Sequence, residues 1–251
     1  MTRRAALFVP CYVDTLYPEA AVAMVRVLER LGVALEFPEG QTCCGQMHVN
    51  TGYQAEVRPL VRRFVDVFAD AEVVVAPSAS CVATVRHQYP EMAARSGDAG
   101  LIAAVADVVP RVREFSEYVL DDLGVEDVGA YFPHAVAYHP TCHSLRMLRV
   151  GDRPMRLLRR VAGIRLRELP RAESCCGFGG TFAVKNAEVS AAMLADKVAD
   201  VLQAGVEYVV AADESCLMHI GGGLGRQRTG VRTLHLAEVL AATQDRPMAA
   251  A

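Results

Sequence analysis

Short apolar runs alternate along the chain with longer stretches in which apolar residues recur every three or four positions. The first pattern predicts buried strands, and the second predicts amphipathic helices. The predicted strands are residues 5–9, 33–37, 72–76, 135–138, 164–169 and 208–212. The predicted helices are residues 18–31, 55–68, 155–161 and 189–202, with a further helix near 115–123. Strands that alternate with helices indicate an α/β fold of parallel sheets flanked by helices.

The eight cysteines fall into two sets of nearly equal spacing, Cys11, Cys43, Cys44 and Cys81, then Cys142, Cys175, Cys176 and Cys216. From the single cysteine to the adjacent pair there are 31 and 32 intervening residues, and from the pair to the last cysteine there are 36 and 39. The flanks also correspond, as in FVPC at 8–11 with YHPTC at 138–142, and VREFSEYVL at 112–120 with VRTLHLAEVL at 231–240. We predict a duplication into lobes at 1–128 and 129–251, joined near residues 124–129.

Each single cysteine follows a predicted strand, so the four thiols of a lobe are expected at the carboxyl edge of its sheet. Four thiolates match the ligand count of a four-iron cluster, and we predict one [4Fe–4S] cluster in each lobe. Gly45 and Gly177 follow the cysteine pairs and are candidate cofactor-binding residues, because glycine lets the backbone approach the sulfurs. Zinc is the alternative at one of the two sites, although zinc sites usually draw on cysteines two to four residues apart.

Composition limits the class of protein and the cellular compartment in which these sites are expected. The chain has 251 residues, of which 52% are hydrophobic, and a formal net charge of −3, so we expect a sizeable core and no nucleic-acid partner. No apolar segment is long enough to span a bilayer, and the apolar run within residues 1–10 is too short for a signal-peptide core. We therefore expect a cytoplasmic protein, not integral to a membrane, whose clustered cysteines are metal ligands rather than disulfides.

The order of cysteine, long gap, Cys-Cys-Gly, long gap and final cysteine resembles the CCG cysteine-rich proteins, which include the heterodisulfide reductase B subunit and the glycolate oxidase iron–sulfur subunit. CCGQMHVNTGY at 43–53 and CCGFGGTFAVKN at 175–186 are most similar to the lactate utilization protein A family. The resemblance covers nearly the whole chain. It implies an iron–sulfur electron-transfer subunit of a bacterial system oxidising L-lactate to pyruvate, not a complete enzyme alone. Its implied partners are the other subunits of that system, including a second iron–sulfur protein.

The chain departs from the complete family motif, which ends in C-x-x-C. Ser78 and Asp213 stand three residues before Cys81 and Cys216, where the fifth cysteine of each motif would be. The five-cysteine noncubane clusters of heterodisulfide reductase are therefore not expected, and a conventional cluster in each lobe is favoured. A thiol/disulfide redox subunit of that type and a zinc-stabilised interaction protein remain the alternative functions.

Several other residues are candidates for a role at the sites. Four histidines near the cysteines are candidate proton donors or cluster ligands, or simply cap loops: His48, His139, His143 and His219. Lys185 is a cofactor-binding candidate for an anionic cluster or a carboxylate substrate, with a solvated surface lysine as the equal alternative. The arginine-rich stretch 153–160 is interpreted as a solvated helix face, with a docking site for a partner as the alternative. The glycine-rich stretch 221–225 is interpreted as a flexible connector.

Overall fold

The structure is a computed structural model that describes residues 3–247. The sequence from about residue 244 onward predicts a frayed end, and this stretch lies partly outside the described residues. The strands are β1 (Arg4–Leu7), β2 (Ala34–Glu36), β3 (Val74–Ala76), β4 (Val112–Glu114), β5 (Ala135–Tyr138), β6 (Arg165–Arg167), β7 (Tyr208–Ala211) and β8 (Arg232–His235). The α-helices are α1 (Cys11–Leu16), α2 (Pro18–Arg30), α3 (Gln46–Asn50), α4 (Gln54–Val67), α5 (Ala79–Ala83), α6 (Tyr89–Ser96), α7 (Ala99–Val108), α8 (Phe115–Glu117), α9 (Arg153–Arg159), α10 (Phe182–Lys185), α11 (Ala187–Ala204), α12 (Glu214–Arg226) and α13 (Leu236–Ala241). A 3-10 turn covers Val109–Arg111, and π-helical segments cover Thr84–Gln88, Tyr118–Asp122 and His143–Leu148.

The strands form two parallel sheets of the same order, β2-β1-β3-β4 in the first half and β6-β5-β7-β8 in the second. The register is also shared, because Leu7 lies opposite Val75 in the first sheet and Tyr138 lies opposite Val210 in the second. The predicted α/β fold of two duplicated lobes, each a small parallel sheet flanked by helices, is confirmed. The predicted division between residues 128 and 129 falls between the two sheets, and its position stays a prediction.

The sheets show why the apolar runs become strands. Every residue of β3 and β7 is buried, because helices cover both faces of a parallel sheet. The edge strands β2 and β6 have only three residues each and are largely exposed. They carry charged side chains, such as Glu36, which pairs with Arg4 on the neighbouring strand. Short, charged edges of this kind discourage pairing with another chain.

All six predicted strands and the main predicted helices are present, with ends that differ by at most two residues. The sequence analysis missed β4 and β8, although both lie in the repeated segments that end the two halves. Each is three or four residues long and runs directly into a helix, so neither shows the alternation that identifies a strand. The helix predicted near residues 115–123 is α8 and the π-helical segment that continues it.

One prediction about the second lobe is wrong. The glycine-rich stretch 221–225 is not a flexible connector but part of the helix α12. A Cβ atom at Gly221 would lie 2.8 Å from Oγ1 of Thr233, and one at Gly223 would lie 3.0 Å from Val198. These glycines let α12 approach β8 and α11 closely, and this packing outweighs the low helix propensity of glycine.

The lobes share one apolar core. Helix α2 of the first lobe packs against α13 of the second, and α8 packs reciprocally against α9. The buried face of α2 includes Met24, Val27 and Leu28, and it meets fully buried residues of α13 such as Leu240. Burial of this area holds the lobes together through the hydrophobic effect. None of the helices within residues 3–247 is long and apolar enough to cross a membrane.

The arginine-rich helix α9 has a more specific role than the predicted solvated face. Its side chains remain partly exposed, but Arg153 pairs with Asp121 at 2.7 Å, and Arg156 and Arg160 both pair with Glu126. These acidic residues lie in the segment that joins the two sheets. The arginines therefore tie the connecting segment to the second lobe, with the modest energies usual for exposed ion pairs.

Candidate metal centres

The first site consists of Cys11, Cys43, Cys44 and Cys81, which three loops bring to the carboxyl edge of the first sheet. Cys11 begins α1 just after β1, the adjacent pair lies in the loop after β2, and Cys81 lies in α5 after β3. The sulfurs of Cys11 and Cys43 are 3.5 Å apart, and those of Cys44 and Cys81 are 3.2 Å apart. Cys44 and Cys81 are buried, whereas Cys11 and Cys43 are partly exposed.

The second site consists of Cys142, Cys175, Cys176 and Cys216 and repeats this arrangement. Cys142 immediately precedes a π-helical segment after β5, the pair follows β6, and Cys216 lies in α12 after β7. The Cys175 sulfur lies beside those of Cys142 and Cys176, and the Cys176 sulfur also lies beside that of Cys216. All eight cysteines are free thiols. Each lobe thus brings together the four thiols that the sequence analysis grouped.

In each site one thiol is a shared hydrogen-bond acceptor. The pKa of Cys43 is lowered to about 2, because its sulfur accepts hydrogen bonds from the Cys11 thiol, the adjacent thiol and the Gly45 N–H. The pKa of Cys175 is lowered to about 2 by the corresponding donors, the Cys142 thiol first. The thiols that donate have raised pKa values for the same reason. Since a thiolate is the form that binds metal, each site contains one sulfur that ionises readily.

The glycine after each cysteine pair is required by packing. Gly45 and Gly177 have φ angles of +79° and +91°, which other residues rarely adopt. A Cβ atom at Gly45 would lie 2.8 Å from Val57 of α4, and one at Gly177 would lie 2.7 Å from the carbonyl oxygen of Ser190 in α11. Their N–H groups donate to the first sulfur of each pair at 3.3 and 3.4 Å. A direct contact of either glycine with a cofactor stays a prediction.

The two positions that lack the fifth cysteine meet at the lobe boundary. Ser78 and Asp213 are helix N-caps, because Ser78 Oγ accepts from the Cys81 N–H at 3.3 Å and Asp213 Oδ1 accepts from the Ser215 N–H at 3.2 Å. The other oxygen of Asp213 accepts from the Ser80 N–H at 2.8 Å and from the Ser78 hydroxyl at 3.4 Å. These residues therefore join the two site-bearing loops across the lobes.

Each site is also closed by the other lobe. Gln46, which follows Cys-Cys-Gly in the first lobe, lies 3.1 Å from His143, which follows the first cysteine of the second lobe. Phe178 and Tyr12 make the reciprocal contact, with ring centroids 5.9 Å apart and nearly perpendicular planes. A narrow cavity beside the first site is lined by its cysteines and by Phe178 and Asp213 of the second lobe. The two sites therefore face the same lobe boundary, for which the sequence offers no signal.

The layer beneath the second site contains two polar residues in the interior. His139 is fully buried, and burial lowers its pKa to about 4. Lys197 is also fully buried, and its ammonium donates to the carbonyl oxygens of Arg171 and Ala172 at 2.9 and 3.3 Å. The sequence analysis did not identify Lys197, since a single lysine on an amphipathic helix is usually at the surface. Its side chain supports the loop that leads into Cys175.

The remaining candidates lie around the sites. Lys185 is exposed at the end of α10, and its side chain makes no hydrogen bond or ion pair with the described part of the chain, so its predicted role remains untested. His48 is exposed, and its charge helps to lower the pKa of Cys43. His219 is half-buried, with Nε2 3.3 Å from the hydroxyl of Ser190.

Comparison with known proteins agrees with this arrangement. The family model for the cysteine-rich domain CCG matches residues 5–86 and again residues 136–221, so the fold and sites define a protein with two such domains. The chain is 42% identical to lactate utilization protein A of Geobacillus kaustophilus (strain HTA426), over 94% of this chain and 98% of that protein. It is 41% identical, with the same coverage, to lactate utilization protein A of Bacillus subtilis (strain 168). The chain therefore belongs to the lactate utilization protein A family.

Similarity to solved structures is weak. An aspartate racemase homologue from Pyrococcus horikoshii OT3 aligns over 96% of both chains, with a TM-score of 0.34 and 11% identity. A putative Asp/Glu racemase from Yersinia pestis aligns over 95% of this chain and 96% of its own, with a TM-score of 0.31 and 10% identity. Scores this low carry no argument about fold or function.

The donor set of each site fits a thiophilic metal centre. Four free thiols converge, and the Cys44 and Cys176 side chains are almost fully buried beside other sulfurs rather than among apolar groups alone. Soft thiolate ligands select iron–sulfur clusters and zinc over magnesium or calcium. The eight cysteines are therefore suited to hold two such centres.

Proposed function

We propose that this protein is an iron–sulfur electron-transfer subunit of a cytoplasmic system that oxidises L-lactate to pyruvate, with one [4Fe–4S] cluster in each lobe. The observation that supports it most directly is the presence of two complete sets of four converging free thiols at the carboxyl edges of parallel sheets. The substrate is suggested by the name of the relatives, lactate utilization protein A. The partners in this proposal are the other subunits, including a second iron–sulfur protein.

The residues of each site have defined tasks in this function. A bound cluster accepts and releases single electrons. The N–H groups of Gly45 and Gly177 donate to the ligand sulfurs Cys43 and Cys175, and such hydrogen bonds influence the reduction potential. The contact of Phe178 with Tyr12 places a side chain of the second lobe beside the first site.

The cavity beside the first site favours an electron-transfer role over lactate binding. Asp213 lines it, and the described lining contains no lysine or arginine. A carboxylate substrate needs a cation or several N–H donors to replace its hydration, and a neighbouring carboxylate opposes its entry. We therefore assign lactate binding to another subunit.

Zinc at one site is the second candidate, and the sulfur spacing supports it. A Zn–S bond of about 2.3 Å places the sulfurs of a tetrahedral site about 3.8 Å apart. The observed separations of 3.5 and 3.2 Å at the first site are shorter than that value, so these thiols already lie close enough to hold one ion. A [4Fe–4S] cluster would be held by the same four cysteines and would supply single-electron transfer.

Metal analysis of anaerobically purified protein separates these functions. Two cubanes give about eight irons and about eight sulfides per chain. One cubane with one zinc gives about half that iron, whereas two zincs without iron would exclude electron transfer by this chain. If the protein were instead a thiol/disulfide redox subunit, paramagnetic signals would appear only after a thiol substrate is added.

Reduction by lactate tests the pathway. In an anaerobic extract that contains the other subunits, L-lactate should reduce the clusters, as followed by low-temperature electron paramagnetic resonance. Lactate should not reduce the purified chain, because this chain holds no lactate site in the proposal. Reduction of the purified chain by lactate alone would contradict the assignment of substrate binding to another subunit.

A further inference from the structure

His139 and Phe8 occupy equivalent places in the two lobes. Each follows the first strand of its sheet, and each N–H donates to the third strand, from Phe8 to Val75 at 2.9 Å and from His139 to Val210 at 2.7 Å. Both side chains are fully buried beneath the cysteine sites. The two residues therefore occupy the same position in the duplicated fold, but one is apolar and the other is polar.

Phe8 fits its surroundings as an apolar side chain. Its ring meets those of Phe64 and Phe68 edge-on, with centroids 5.1 and 5.8 Å away. Such contacts are favourable for aromatic rings and require no polar partner. Packing fully accounts for Phe8.

Packing does not account for His139. Both ring nitrogens are buried, and neither has a hydrogen bond of normal geometry with the described residues, although the backbone of Ala172 lies close to the ring. Leaving a buried polar group unpaired lowers stability, and the apolar residue at the equivalent position avoids that loss. A ring nitrogen of His139 and the sulfurs of Cys176 and Cys216 all lie within 4.8 Å of one another. A buried ring nitrogen of His139 therefore lies near two thiols of the second site.

We propose that His139 is a metal ligand of the second site, which makes that site a mixed cysteine–histidine centre while the first site has sulfur ligands only. This inference rests on the proposed metal centres. The geometry that supports it is the position of the buried ring within 4.8 Å of the Cys176 and Cys216 sulfurs. Coordination would give the orphaned nitrogen its partner.

A mixed ligand set has a functional consequence. In this proposal the imidazole of His139 takes the place of one of the four thiolates at the second site. This replacement raises the reduction potential of an iron–sulfur centre, because imidazole is neutral and donates less electron density. The second site then has the higher potential, and electrons within this chain pass from the first lobe to the second.

Pulsed electron paramagnetic resonance of the reduced, cluster-loaded protein tests the ligand directly. Protein grown with ¹⁵N-histidine should show the strong nitrogen coupling of a coordinated imidazole, changed from that of unlabelled protein by the isotope. This measurement needs no variant. Coupling that is absent, or as weak as that of a hydrogen-bonded ring, would overturn the proposal.

Variants assign the signal to His139. His139→Phe, which copies the first lobe, should lose the nitrogen coupling and shift the potential of the second centre downward. The matched control His219→Gln changes another histidine beside the same site, and it should keep both. If His139→Phe does not fold, His139→Gln provides the same comparison with a polar side chain. Persistence of the coupling in the folded His139 variants would also overturn the proposal.

The outcomes distinguish this inference from the function on which it depends. If iron and sulfide are absent from purified protein, the proposed electron-transfer function fails, and the mixed iron centre fails with it. If clusters are present without strong nitrogen coupling, the proposed function stands and only the ligation by His139 is refuted.

Discussion

The two lobes have the same cysteines on the same strands but different layers beneath them. Under the first site lie the rings of Phe8, Phe64 and Phe68, which contact one another. Under the second site lie His139 and Lys197, which are fully buried. Lys197 takes the place of Phe64. Phe64 lies seven residues after Val57, which packs against Gly45, and Lys197 lies seven residues after Ser190, which packs against Gly177.

The difference shows which parts of the duplicated unit are constrained. The thiols must converge at one point, so the strand ends and the glycines that place them are the same in both lobes. The residues beneath the sites do not position the thiols, so they can be apolar or polar. An apolar layer contributes packing energy, whereas buried charge and imidazole change the electrostatic environment of a bound centre. The lobes therefore provide two similar ligand sets in unlike surroundings.

The largest expected effect is the loss of one centre at a time. Cys81→Ser should empty the first site and Cys216→Ser the second, because a hydroxyl is a poor ligand for a thiophilic metal. Each variant should contain about half the metal of the wild-type chain, by elemental analysis after anaerobic purification. The control Glu173→Gln, on the exposed surface beside the second cysteine pair, should retain all of it. Loss of all metal in either variant would show that the sites do not fill independently.

Removing the aromatic layer of the first lobe should have the next largest effect. Phe8→Ala should lower the free energy of unfolding by about 3–5 kcal/mol, because it leaves a cavity against Phe64 and Phe68. Denaturant titration of the metal-free protein measures this change. Phe37→Ala removes a ring that is 53% exposed and should cost less than about 0.5 kcal/mol. Equal losses in the two variants would contradict the packing described for the first lobe.

Glu114 and His235 should give opposite dependences of stability on pH. They are equivalent N-caps after the fourth strands, and both are fully buried. Burial raises the pKa of Glu114 from 4.5 to about 7, so its contribution is complete below pH 4.5 and is lost as the pH rises to 7. Burial lowers the pKa of His235 from 6.5 to about 4. Its contribution to the free energy of unfolding is therefore complete above pH 6.5 and is lost as the pH falls to 4. For each of the two residues, the free energy of unfolding changes by about 3 kcal/mol over its pH range.

Single substitutions should separate these two opposing contributions. Relative to the wild-type chain, Glu114→Gln should gain stability as the pH rises from 4.5 to 7. His235→Asn should gain stability, on the same relative scale, as the pH falls from 6.5 to 4. Denaturant titrations at a series of pH values measure both trends. Parallel trends for the two variants would refute the opposite signs.

The smallest expected effects distinguish the two caps at the lobe boundary. Ser78→Ala should cost about 1 kcal/mol, the usual value for losing a helix N-cap. Asp213→Ala should cost about 2–3 kcal/mol, because its carboxylate also accepts the Ser80 N–H from the other lobe. Thermal unfolding of the two variants under identical conditions checks the order. A cost for Ser78→Ala as large as that for Asp213→Ala would contradict the greater role of the carboxylate.

Much of the candidate sites could be predicted from local patterns. The ends of parallel strands lie at one edge of a sheet, so Cys11 and Cys81 had to approach each other once the strands were recognised. The glycine after each pair was noted for its lack of a side chain, but the reason lies in the crossing helix and the positive φ. Gly221 was misread because the sequence does not show that Thr233 lies against it.

The sequence alone determined the duplication, the α/β class and the grouping of four cysteines per lobe, because these depend on spacing and on short-range hydrophobic periodicity. Only the tertiary structure decided that Ser78 meets Asp213, that Gln46 meets His143, and that the nitrogens of His139 are buried without partners. These contacts join residues about a hundred positions apart or depend on close packing around one side chain. The contacts between residues of different lobes form because the lobes dock through their shared apolar core, and no local sequence pattern encodes that docking.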